Sequence, residues 1–168
     1  SASLVGSEMC IRDSSHAIQQ RLGLLRGIQA GEGAQFFLLG RETTESTLAE
    51  LAGISTFIHA SSTQEVAEKI HRFLQSNRLT AGQIDWFVTG KNGNSKEDTL
   101  YTDLENDLFP TATCSIFKNE CGEYPTATSY AVWKAVNESV NCTTSTHILI
   151  YNHHHSINHS LILIRKSV

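Results

Sequence analysis

Apolar positions along this chain switch between a period of two and a period near four, and the switches lay out an ordered series of elements. The run AQFFLL, from Ala34 to Leu39, follows Gly31-Glu32-Gly33 and reads as a short buried strand. Ile54 to His59 alternates as ISTFIH and reads as a second strand. Ser62-Thr63-Gln64-Glu65 is a capping box, in which hydroxyl and carboxylate satisfy the first free N–H groups of a helix. Behind it Val66, Ile70, Phe73 and Leu74 fall on one helical face. Leu79 to Gln83 turns the chain into a strand over Ile84–Thr89, which stops at Gly90. Gly90 to Ser95 is a loop by composition; Leu100, Leu104 and Leu108 then share a helical face that Pro110 closes, having no N–H to donate. Thr113 to Phe117 is a short strand, and Thr126 to Val136 a helix with small residues at its start, suited to close approach. Thr146–Asn152 and His159–Arg165 are strong strand patterns joined by a histidine-rich bend. Strands alternating with helices call for an α/β fold: a mixed, mostly parallel sheet with helices on its faces, ending in an antiparallel strand pair.

Composition narrows the class. The 168 residues carry 40% hydrophobic side chains and a net charge of −4, enough apolar content for a core and the wrong sign for a nucleic-acid module. Nothing approaches the ~20 apolar residues of a membrane span. The island LVGSEMCIRDS, Leu4 to Ser14, does not share the pattern of the remaining chain. It resembles the translation of a sequencing-library adapter, the other reading being a disordered leader, and residues 1–14 are set aside from fold reasoning. The adapter reading implies that the natural protein began further upstream. Outside that island Cys114, Cys121 and Cys142 form no C-x-x-C pair, which argues against a disulfide framework or a zinc ribbon and for a reducing, cytoplasmic setting.

Four landmarks, in order and at compatible spacing, carry a family resemblance from Gly31 onward. They are Gly31-Glu32-Gly33-Ala34; the strand Ile84–Thr89 leading into Gly90-Lys91-Asn92-Gly93-Asn94 with Asp98 beyond; Lys118-Asn119-Glu120-Cys121-Gly122-Glu123 before the small-residue helix; and Ser156-Ile157-Asn158-His159-Ser160 before the last strand. The chain resembles the C-terminal half of a β-ketoacyl-[acyl carrier protein] synthase, of the thiolase-like superfamily. The resemblance implies that residues 15–45 close the first half of that fold and that 46–168 form its C-terminal half-domain. It also implies that the full-length protein is dimeric, that its partners are an acyl carrier protein or an active synthase subunit, and that no cofactor is needed.

The departures bear on chemistry. In the family a cysteine, carried on the half this chain lacks, takes the acyl chain, and two histidines support decarboxylation of the incoming malonyl thioester. The resemblance puts those histidines at Gly90, which has no side chain, and at Glu123, whose ionised carboxylate accepts but cannot donate. The family lysine is retained as Lys118, its usual acidic partner falls on Val132, and Asn158 takes the substrate-side asparagine position. Lys118 and Glu123 are therefore expected to form a partly buried ion pair, since an unpaired buried charge is costly. The resulting expectation is a non-catalytic subunit of the chain-length-factor type, the alternatives being a divergent active acyltransferase or an unrelated α/β domain.

Other chemistry-bearing residues have plainer readings. His153, His154, His155 and His159 could hold a metal through imidazole, yet no carboxylate or cysteine adjoins them; a loop or interface role is expected, with bulk crowding the acyl-binding region. Cys121 lies near Lys118, whose charge would lower a thiol pKa, but both it and Cys114 read as small buried hydrophobes. Trp86 and Trp133 read as core residues, and Gly31-Glu32-Gly33 precedes a strand where a phosphate loop needs a helix. A half-domain alone is expected to expose an apolar helical face and to be poorly soluble.

Overall fold

The structure is a computed structural model that describes residues 28–60, 62–154 and 157–166. The leader at 1–14, with both readings of it, lies outside these residues, as do His155 and Ser156. Five strands form one sheet: β1 (Glu50–Ile58), β2 (Trp86–Thr89), β3 (Thr113–Ile116), β4 (Thr146–His154) and β5 (Asn158–Lys166). Their order is β1-β5-β4-β2-β3. β1 with β5 and β5 with β4 are antiparallel, while β4 with β2 and β2 with β3 are parallel. Helices α1 (Thr63–Ser76), α2 (Ser95–Asp107), α3 (Lys118–Cys121) and α4 (Ala127–Ser139) complete the fold. This is the mixed α/β architecture that the pattern predicts, its parallel part confined to β4, β2 and β3.

Each face of the sheet has its own core. Val66, Ile70, Phe73 and Leu74 of α1, with Tyr101 and Leu104 of α2, pack against Phe87, Leu149, Tyr151, Leu161 and Leu163. On the opposite face Ala127, Ala131 and Ala135 recur every four residues along α4 and pack with Val88, Ile148, Ile150 and Ile164. β4 feeds both cores by alternation and is buried on both faces, as a central strand with helices packed on each side of the sheet requires. Local signals set the helix starts. Ser62 Oγ accepts the Glu65 N–H at 3.2 Å, and Asn94 Oδ1 accepts that of Lys96 at 3.2 Å.

Three expectations need correction. Ala34–Leu39 is not a buried strand: Phe36 is 92% and Leu38 102% exposed. The chain from Gln29 to Gln35 is pinned to the α3–α4 loop and to α4: Gly31 N–H donates to Glu123 O, Glu123 N–H donates to Gln29 O, and Ser129 Oγ donates to Gln35 Oε1. Beyond Gln35 no strand among the described residues lies beside the run, and apolarity alone cannot supply a partner. Second, His153 and His154 are not in a bend; they belong to β4, paired with His159 and Asn158. Third, Trp133 is 44% exposed, because alanines fill the inner face of α4 and turn the indole outward. The exposed apolar surface is thus mostly extended chain and edge strand (Phe36–Leu39, Leu51, Ile54 and Ile58), with Trp133 as its helical part.

An exposed apolar run of this kind promotes self-association. The chain is expected to elute above its monomer mass by size exclusion with light scattering, and Phe36→Ser/Leu38→Ser is expected to shift it towards monomer with no loss of thermal stability.

Candidate functional site

The parallel alignment of β2, β3 and β4 brings the carboxyl ends of all three to one rim, the edge where open α/β sheets place their sites. From β2 the chain runs through Gly90 into a loop wound around one carboxylate: Asp98 accepts the N–H groups of Asn92 and Gly93, each at 3.0 Å. Asn92 Oδ1 in turn accepts the Asn94 N–H at 3.1 Å, which leaves its Nδ2 free to reach across the rim. From β3, Phe117 leads into the single turn of α3, and Lys118 begins it.

Lys118 is 4% exposed, and its ammonium meets Glu123 Oε2 at 2.7 Å. Asn92 Nδ2 donates to the same oxygen at 2.9 Å. The expected ion pair is therefore present and shared by two loops. Its cation lies 5.7 Å from the Phe117 ring centroid, a favourable cation–π position. A cavity of about 210 Å³ opens beside it, lined by Gln29, Asn92, Gly93, Lys118 and Asn119. Gly90 stands two residues before Asn92 at the buried end of the same loop. Asn158 begins β5 opposite His154 and Ile58; it is exposed and makes no hydrogen bond to Lys118 or Glu123.

The Glu123 loop is shaped by a close crossing. A Cβ on Gly31 would sit 1.8 Å from Cys121 O, and Gly122 has φ +74° and Gly31 N within 2.7 Å of its own Cβ position. Only glycines allow the two segments to approach this closely. The parallel bridge between Ala30 and Glu123 then fixes the backbone that carries the acid.

His153 and His159 are buried behind the rim, while His154 is exposed. His153 stacks on Tyr101 with centroids 4.7 Å apart, and its N–H donates to Tyr101 Oη at 3.0 Å. His159 stacks on Phe57 at 4.7 Å, and its Nδ1 lies 2.8 Å from Tyr151 Oη. Burial is the largest influence on His153 and pulls its pKa down from 6.5 to about 4, helped by the neighbouring His159 and Lys118 charges. Burial likewise holds the Tyr101 and Tyr151 phenols far above their usual range. Among the described residues no group of His, Cys, Asp or Glu is arranged to hold a metal ion.

Of the two cysteine readings, that of Cys114 changes and that of Cys121 as an unactivated thiol holds. Cys114 is exposed on the outer strand rather than buried. Burial pushes the Cys121 thiol up, outweighing the Lys118 charge that pulls the other way, so the cation does not activate it. Lys134, which the sequence pattern does not single out, joins α3 to α4 by bridging Glu120 at 2.5 Å and Glu138. Tyr130 donates to that Glu120, whose carboxyl is held low chiefly by the Lys134 hydrogen bond. A helix-surface lysine with acids at compatible spacing is too common a pattern to mark this clasp in advance.

No protein-family model matches the chain, and no curated protein does either. Solved structures do. A PfaC ketosynthase–chain length factor protein superposes with a TM-score of 0.66 at 17% identity, over 76% of this chain and 14% of that one. The ketosynthase from module 1 of the bacillaene synthase of Bacillus amyloliquefaciens gives 0.64 at 10% identity, over 72% and 30%. A type II polyketide synthase acyl-carrier protein in complex with its ketosynthase gives 0.58 at 12% identity, over 72% and 39%. The chain has the thiolase-like ketosynthase fold and spans well under half the length of these proteins. Among its described residues no helix is long and apolar enough to cross a membrane.

The pair should be energetically lopsided, because the cation is deeper than the acid. Glu123→Gln strands a buried ammonium and is expected to cost about 3 kcal/mol. Lys118→Met leaves a rim carboxylate still served by Asn92 and should cost less than half as much; urea denaturation of both variants measures the asymmetry. His153 sets an acid limit. Its folded pKa of about 4 lies below the unfolded 6.5, so the unfolded state takes the proton first. Stability is full above about pH 6.5 and falls as pH drops towards about 4, and His153→Phe should flatten that slope in melts recorded across the range.

Proposed function

We propose that this chain is the C-terminal half-domain of a ketosynthase-like protein of fatty-acid- or polyketide-type acyl chain assembly, acting in a non-catalytic subunit of the chain-length-factor type. The observation that carries this reading is the Lys118–Glu123 pair. Decarboxylating a malonyl thioester requires donors aimed at the oxygen on which negative charge develops. At the two positions where the family resemblance expects imidazole, this chain has Gly90, without a side chain, and Glu123, an acceptor already engaged by Lys118 and Asn92. A carboxylate there also repels both the malonyl carboxylate and the enolate formed from it. The ketosynthase–chain length factor neighbour supports the subunit class, and the neighbour that carries an acyl-carrier protein supports such a carrier as partner, alongside an active synthase subunit. Residues 15–45 then belong to the end of the preceding half-domain, which accounts for the exposed Phe36–Leu39 run, and 46–168 form the C-terminal half. The protein works as a dimer in the cytoplasm.

A divergent acyltransferase is the second reading, favoured by the retention of Lys118 in a buried place at the rim. Malonyl-pantetheine decarboxylation by the protein with its preceding half-domain present separates the two. That protein is expected to release no carbon dioxide above the buffer rate. Release that saturates with substrate and disappears in Lys118→Met would overturn the non-catalytic reading.

A further inference from the structure

Gly90 lies in the most restrictive surroundings of the rim. A Cβ built there would fall 2.0 Å from Asn152 Oδ1, 2.9 Å from Asn152 Cγ and 2.9 Å from Tyr101 Oη. Real Cβ atoms do not approach other atoms this closely, so a side chain at 90 and the carboxamide at 152 cannot both keep their places. Asn152 is not loosely held. Its Nδ2 donates to Thr128 Oγ1 on α4 at 2.8 Å, and its Oδ1 accepts from Tyr101 Oη on α2 at 3.5 Å. Tyr101 is itself fixed, buried and stacked on His153 while accepting that residue's N–H. The two backbones are also tied, since Gly90 N–H donates to Tyr151 O at 3.1 Å. Neither strand end can swing away to make room.

We infer that Asn152 is the main residue that keeps this site free of a side chain at position 90: its carboxamide, delivered from β4 and backed by Tyr101 Oη, fills the volume into which a side chain on the residue after β2 would project. Asn152 acts through Gly90 and is a positioning residue. Its consequence for chemistry rests on the reading of Gly90 as an imidazole position. On that reading, replacing Gly90 alone cannot restore the imidazole, because the carboxamide already occupies its space. Regaining it takes a paired change, at the residue after β2 and in β4.

The exclusion itself can be tested without any assumption about activity, by thermal melts of the 168-residue chain. Gly90→Ala is expected to lower the midpoint by several °C, about the effect of losing one or two hydrogen bonds in a domain of this size. In an Asn152→Ala background, which removes the amide but not the strand, the same change should cost less than half as much. In Asn152→Asp, which keeps the volume but not the amide donor, the full cost should persist, and this arm separates occupied space from general weakening of the rim. If Gly90→Ala does not fold, recovery of folding in Gly90→Ala/Asn152→Ala supports the inference. Equal losses in the native, Asn152→Ala and Asn152→Asp backgrounds, or failure of both Gly90 variants to fold, would overturn it. The proposed function would stand in that event, since it is decided by decarboxylation and not by these melts.

Discussion

The rim depends on the double parallel pairing of β2. Its partners β3 and β4 run in the same direction, so three chain segments that are distant in sequence end side by side. Those ends deliver Gly90 and Asn92 from one strand, Lys118 from the next and Asn152 from the third. The pairing holds because β4 supplies apolar side chains to both cores, Ile148 and Ile150 towards α4, Leu149 and Tyr151 towards α1 and α2. A slip of one residue in β4 would exchange these sets and present Asn152 to the wrong face. Site geometry and core packing are thus consequences of the same register.

Charge at the rim is settled within the protein. Lys118 is buried deeply enough to need a counter-ion, and Glu123 supplies it while drawing Asn92 into the same contact. Pairing a buried cation in this way offsets its desolvation. Lys91 with Glu105, and Lys134 with Glu120 and Glu138, repeat the pattern on the flanks at 2.5 Å for the first two contacts. Electrostatically the region is organised to hold loops and helices together.

What could be read from the sequence was what depends on near neighbours. The α1 helix follows from Ser62, Glu65 and a four-residue apolar spacing, and the close seat of α4 from its small residues. The Lys118–Glu123 pair was legible because the family resemblance set both residues at one site and a buried cation needs a counter-ion. Contacts between distant residues were not. The Gly90–Asn152 exclusion joins the residue after β2 to one in β4, and nothing in either local pattern marks it. The histidines misled because imidazole suits metal sites, loops and aromatic cores alike, and only Tyr101, Tyr151 and Phe57 decide which role it takes. The run Phe36–Leu39 misled for the opposite reason: its composition states a need for burial and says nothing about the partner.

The glycine crossing between Gly31 and Gly122 has a consequence for how such a chain can evolve. Glu123 lies far along the chain, yet its backbone is braced by Gln29, Ala30 and Gly31, which precede β1. A recombination event that exchanged everything upstream of that point would deliver an unrelated strap beneath the acid. The carboxylate would then survive in sequence while losing the brace that aims it at Lys118.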